Sequence, residues 1–167
     1  MKLSVSLIKI NRFDSFSEFT HASSPRYFKN HLGRIEQYDF TKKDDLQKYN
    51  IHMIQFMKMV QVEKKIPYLL NQVHSDQIFV LKDVSQTHEQ IAKVKADAII
   101  THLPGIPIGI FTADCIPILI CDPRLQVAAA IHAGRKGTSQ SIVNKTIMAM
   151  KREYGCHPED LVVGLGL

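Results

Sequence analysis

The sequence predicts a single α+β or mixed α/β domain, and three observations carry that reading. Short apolar runs with strand character recur from residue 66 to residue 134, separated by breaks rich in Pro, Gly and Asp. Two stretches, 41–65 and 135–155, instead repeat their apolar residues at helical spacing. The chain has 167 residues, 45% hydrophobic and 22% charged, enough for one core that removes roughly 70% of the unfolded surface from water. One domain over residues 1–167 is therefore expected.

The elements follow in order. Leu3, Val5 and Leu7 alternate with polar residues and Ile8 and Ile10 follow, which reads as a strand. Residues 13–40 have weak periodicity and read as loop with one short strand. In "TKKDDLQKYNIHMIQFMKMVQVEKK", Leu46, Tyr49, Met53, Phe56, Met57 and Val60 form a helical stripe of core type, with Thr41 as the cap and Asp44 three residues on. "IPYLLNQVHSDQIFVLKDV" reads as two strands around a polar break at 71–76. "ADAIITHLPGIPIGIFTADC" reads as strand, turn, strand. "IPILICD" is another strand, stopped by the turn "DPR", and "LQVAAAIHAG" is the next. "RKGTSQSIVNKTIMAMKREYG" is a helix with the apolar face Ile142, Val143, Thr146, Ile147, Met150 and Tyr154, stopped by Gly155. "HPEDLVVGLGL" holds the last strand.

Three reactive residues stand at or beside the ends of these apolar strands: His74 in "NQVHSD", Cys115 in "FTADCIP" and His132 in "AAIHAGRKG". Strand ends are where sheets place chemistry. The gaps of 41 and 17 residues match no local metal motif. If the three converge, two imidazoles and a thiolate suit zinc and leave one position open, the catalytic pattern. Asp114, which interrupts an apolar run beside Cys115, can then handle protons or orient a ligand. Read singly, each residue also has an ordinary role: a buried small thiol, a hydrogen-bonded imidazole, a turn carboxylate. In "HAGRKGT", Gly134 and Gly137 flank Arg135 and Lys136, with a helix expected from Thr138 or Ser139. This suits a phosphate or carboxylate cradle, or simply a tight turn with solvated cations. It has neither P-loop nor dinucleotide spacing.

Taken together, "NQVHSDQIFVL", "ADAIITHLPGIPIGIFTADCIPILICDP" and "VAAAIHAGRKGT" with "PEDLVVGLG" resemble the bacterial laccase-domain, or "polyphenol oxidase", family, regarded as multifunctional purine nucleoside enzymes. The likeness is strong over 71–166 and faint over 44–65. It implies an αββα-type sandwich with mixed sheets. It implies a zinc held by His74, Cys115 and His132, with the active site opening at Asp114 and Cys115, the expected catalytic residues; Gly134, Arg135, Lys136, Gly137 and Thr138, the cradle read above, are then expected around phosphate. It implies phosphorolysis of adenosine, inosine and methylthioadenosine, with adenosine deamination as a further reaction. Purine nucleoside and phosphate are the partners so implied. Arg135 stands where the family has Trp, Asn50-Ile51 where Asn-Arg is usual, and "HASSPRYF" where a Gly-Gly-Val-Ser-like loop is usual. The family also continues beyond the equivalent of Gly166, so the chain reads as a C-terminally short member. Its last apolar strand is then expected either to be covered by a second copy in a homo-oligomer or to leave a weakly soluble protein with little activity.

Other classes compete less well. The net charge of +5 is scattered along the chain, without the basic–aromatic interleaving of a nucleic-acid binder. No membrane span or signal peptide is visible, and three Cys without a C-x-x-C pair suggest neither a disulfide framework nor a zinc knuckle. A cytoplasmic location is expected. Eight His without an H-x-H pair favour zinc over a multicopper centre. Two alternatives to the enzyme stay open: an inactive or partner-dependent remnant, and a hydrolase with Cys115 as nucleophile and His132 as base.

Overall fold

A computed structural model describes residues 15, 19–24, 27–29, 34–37, 40, 46–62 and 65–166. Two compact units divide the chain: residues 1–11 with 20–66, and residues 12–19 with 67–167. The expected strand over residues 3–10 and the Thr41 cap with Asp44 lie outside the described residues.

In the first unit, β1 (Tyr27–Lys29) pairs antiparallel with β2 (Ile35–Gln37). The sequence had suggested one strand here; residues this rich in Ser, His and Asn carry little apolar alternation to mark a second. The helix α1 (Leu46–Met59) forms as expected. Tyr49, Met53, Met57 and Val60 are buried, spaced to put one face of the helix inside. Phe56, on the same stripe, is half-buried and meets Phe40 edge-on at 6.2 Å.

The second unit is built on a five-stranded mixed sheet in the order β3-β4-β6-β5-β7. Its strands are β3 (Ile78–Leu81), β4 (Ala98–Thr101), β5 (Ile116–Asp122), β6 (Val127–Ala133) and β7 (Val162–Leu165). β3 and β4 are parallel, and every other neighbouring pair is antiparallel. A short helix α2 (His88–Ile91) lies within the parallel crossover, opened by a capping box between Thr87 and Gln90. Sequence periodicity gives no sign of so short a helix.

One sheet face packs against α4 (Ile142–Tyr154), where Ile142, Ala149 and Met150 meet Ile100, Ile120 and Ile131. Each of the Ile and Met side chains, taken out of water, contributes about 1.5–3 kcal/mol. The other face packs Ile99 and Ala130 against Tyr68 and Leu70, with Ile106, Ile108 and Ile110 around them. The segments 67–72 and 103–111 are therefore covers more than strands. They make only isolated bridges, Tyr68 with Ile108 and Asn71 with Lys95, where two full strands were expected. Their apolar residues mark burial, and burial alone does not distinguish a strand from an extended cover.

The C-terminal helix also departs from expectation. It begins at Arg135, as the short α3 (Arg135–Ser139), and not at Thr138. Ser141 then takes a left-handed conformation (φ 62°) before α4 resumes, so two helices meet at a bend. Gly155 ends α4 with φ 74°, a conformation that suits a residue without Cβ. A 3-10 turn, Pro158–Asp160, leads into β7.

Candidate metal centre

The sheet topology gathers the reactive residues. β3 and β4 start at one end of the sheet; the antiparallel β6 ends there, and β5, antiparallel to β6, starts there. His74 precedes β3, Cys115 immediately precedes β5, and His132 is the next-to-last residue of β6. One ligand atom from each lies within 4.8 Å of the other two. A tetrahedral zinc with N and S ligands would hold them about 3.4–3.6 Å apart, so small side-chain rotations close the set. His132 is buried, Cys115 half-buried and His74 exposed, so the site opens to solvent on the His74 side. The His74 and His132 rings meet edge-on at 4.8 Å.

Glycine makes this convergence fit. A Cβ on Gly134 would stand 3.0 Å from His74 Cδ2 and 3.1 Å from Cys115 Sγ. One on Gly137 would stand 2.7 Å from the Ser75 carbonyl oxygen. Both glycines of "HAGRKG" thus admit the His74 loop and the thiol. The donor set of two nitrogens and one sulfur, its atoms within 4.8 Å of one another, fits zinc.

Sequence reasoning missed Asp97. It is fully buried, one residue before β4, and its carboxylate gathers donors from the His74 segment and from His132. Oδ1 accepts from the His74 amide (3.0 Å) and lies 2.8 Å from His132 Nδ1. Oδ2 accepts from the Val73 amide (3.2 Å), the Ser75 amide (2.6 Å) and the Ser75 hydroxyl (2.7 Å). Burial pushes this carboxyl up, but the hydrogen bonds from His132, Ser75 and Val73 outweigh it and hold it below the ordinary carboxylate value. His74 itself sits at φ 57°, costly for a residue with a Cβ. The three amides turned onto Asp97 offset that cost. The signal was present in "ADAIIT", where an acid opens an apolar strand just as Asp114 interrupts one.

Gln72 is the second residue without an assigned role. Its amide donates to the Phe111 carbonyl (2.7 Å) and its oxygen accepts from the Phe111 amide (2.7 Å). This two-way clamp joins the His74 segment to the one that carries Cys115. Asp76 pairs with Lys145 of α4 and ties the same loop to the helix.

The remaining expected residues are placed as follows. Asp114 is exposed in the bend before Cys115. Arg135, Lys136 and Thr138 are exposed on α3, while Gly134 and Gly137 are buried. The Thr138 amide donates to the Gly134 carbonyl (2.8 Å), so it is spent within the helix.

Fold and site together define a mixed α/β domain with a His–Cys–His group able to hold a metal ion. The family described as "Multi-copper polyphenol oxidoreductase laccase" matches residues 26–167, and the chain belongs to that family. It is 41% identical over 99 residues to a purine nucleoside phosphorylase of Clostridium acetobutylicum, covering 53% of this chain and 42% of the relative. It is 35% identical over 118 residues to a purine nucleoside phosphorylase of Bacteroides thetaiotaomicron, covering 68% of this chain and 43% of the relative. The chain therefore spans less than half the length of these relatives. The crystal structure of the Bacillus licheniformis hypothetical protein YfiH superposes with a TM-score of 0.69 at 20% identity, over 98% of this chain and 62% of that one. Among the described residues no helix is long and apolar enough to cross a membrane.

Proposed function

We propose that this chain carries the metal centre of a zinc-dependent purine nucleoside phosphorylase acting on adenosine, inosine and methylthioadenosine, with adenosine deamination as a second reaction of the same site. The observation that carries the reading is the convergence of His74, Cys115 and His132 within 4.8 Å; the names of the relatives supply the substrate class. Bound zinc supplies Lewis acidity and a water acidified to a pKa of about 7. The chain's residues do the rest. Asp97 bonds the His132 ring and the backbone amide of His74, and the thiolate of Cys115 completes the set. Asp114, exposed beside Cys115, is placed to exchange protons with substrate or solvent. Arg135 and Lys136 project from the helical turn that follows Gly134, and their charge suits phosphate.

A pairing of Asp97, His132 and Cys115 would also suit a thiol hydrolase. His74 argues against it, because a third donor has no use there and bound zinc would occupy the thiolate.

Metal analysis after zinc-replete expression, beside an adenosine-plus-phosphate assay, tests the proposal. One zinc per chain and phosphate-dependent adenine release are expected. Losing a charge-assisted hydrogen bond costs about 1.5–3 kcal/mol, so Lys136→Ala should weaken phosphate use about 10- to 150-fold. An unchanged phosphate dependence would place the anion elsewhere, and inosine formed without phosphate would favour deamination. A zinc-loaded chain without turnover would leave a binding role.

A further inference from the structure

We propose that Asp97 is the positioning residue of this centre: it sets which nitrogen of His132 faces the metal and holds the His74 loop in register with it. The inference rests on the metal-site reading above. A buried carboxylate is costly unless its lone pairs are used, and here every partner of its oxygens, backbone amide or side chain, belongs to His74, to His132 or to a neighbour of His74. An acid that merely closed a turn would need the amides alone. Asp97 reaches beyond them to an imidazole from another strand, and its own carbonyl oxygen accepts from the His132 amide at 2.8 Å. The carboxylate therefore holds a proton on His132 Nδ1 and leaves the Nε2 lone pair for the site. One oxygen, Oδ1, is shared between His74 and His132, so the two ligand segments cannot shift independently. Cys115 is reached separately, through Gln72 and Phe111.

Asp97→Asn separates positioning from packing, since the shapes match. The amide must turn its NH2 toward either Ser75 or His132. Toward His132 it stabilises the opposite tautomer, with the proton on the nitrogen that should bind metal. Zinc competition against a chromophoric chelator should show affinity about 10- to 100-fold weaker, and the cobalt-substituted variant should show altered ligand-field bands. Wild-type affinity with an unchanged cobalt spectrum overturns the proposal. Nitrogen-15 spectra of the wild-type histidine rings without metal, in alkaline solution, give a second reading that needs no variant to fold. An Nδ1–H tautomer at His132 is expected; an Nε2–H tautomer overturns the proposal. A wild type that binds neither zinc nor cobalt overturns the metal-site reading and the positioning role with it. That result remains distinguishable, because the ring spectra report the Asp97–His132 bond on their own.

Discussion

Gly134→Ala offers a test of the centre that leaves every ligand in place. The backbone at Gly134 has φ −77° and ψ 168°, which alanine adopts without strain. Only the added methyl matters. It would stand 3.0 Å from the His74 ring, 3.1 Å from Cys115 Sγ and 3.8 Å from His132 Cε1. The first two are tighter than ordinary van der Waals contact, so the imidazole and the thiol must each retreat by a few tenths of an ångström. Without metal these are movable side-chain ends. Overpacking costs about 1–3 kcal/mol, while the stiffer unfolded chain returns about 0.4–1 kcal/mol, so the net loss of stability should be about 0–2.6 kcal/mol. With metal the ligands cannot retreat without leaving their coordination distances. Zinc affinity should then fall about 10- to 100-fold, or about 1.4–2.7 kcal/mol. Urea unfolding of the metal-free protein gives the first number and chelator competition the second. A variant that binds zinc as tightly as wild type would show that the three ligands do not close around an ion beside Gly134.

Gly137→Ala should behave in the opposite proportion. Its methyl would meet the Ser75 carbonyl oxygen at 2.7 Å, and a backbone atom cannot swing aside, so the metal-free protein should lose about 3 kcal/mol or more in the same urea titration. The three thiols should also differ in reactivity. Burial, with the Asp122 carboxylate nearby, pushes Cys121 and Cys156 up to about 12, and both are buried. Iodoacetamide at pH 8 should label Cys115 alone in the native, metal-free protein, read by peptide mass mapping; equal labelling of all three would refute the packing described here. The same two thiols predict loss of stability at high pH. Their folded values are raised, so the unfolded chain releases these protons first, and stability present below pH 9 is lost as the pH rises toward 12. The slope is at most about 1.4 kcal/mol per pH unit for each thiol. Urea midpoints between pH 8 and pH 11 check it, with the Cys121→Ser, Cys156→Ser double variant as the control that flattens the slope.

Much of the sheet was legible because its inner strands are largely buried on both faces. "IPILICD" and "VAAAIHA" are continuous apolar runs, and a run bounded by a turn dipeptide is a strong strand signal. The "DPR" turn is built as its residues suggest: Asp122 Oδ1 accepts from the Arg124 and Leu125 amides, both at 3.0 Å. Legibility failed where apolar residues cover the sheet without joining it. Leu70 and Ile108 are as apolar as strand residues, yet they lie across a face formed by others. It failed also at the bend between α3 and α4. There Ser141 takes a conformation usually left to glycine, and the helical spacing simply continues through it.

For the site, the 17-residue gap between Cys115 and His132 could have been decoded from the turn alone. A two-strand hairpin closed by the four residues 123–126 pairs Asp122 with Val127 and, at its open end, Ile116 with Ala133. One further step along that register sets Cys115 against Gly134 and beside His132. The 41-residue gap to His74 could not be decoded in this way. It runs through a parallel pairing, β3 with β4, whose register depends on the crossover between them and on no local turn. The residue that resolves this ambiguity in the folded chain is Asp97. Its amide donates to the Gln77 carbonyl at 3.0 Å, which sets the start of β4 beside the start of β3. Its carboxylate draws in the amides of Val73, His74 and Ser75. The long-range step of the site is therefore made by a buried acid that, in the sequence, looks like one more polar residue at the edge of an apolar run. Ligands can be recognised by residue type, because few side chains bind zinc. A group that positions them can be any hydrogen-bonding residue, and only the register of the sheet says which one it is.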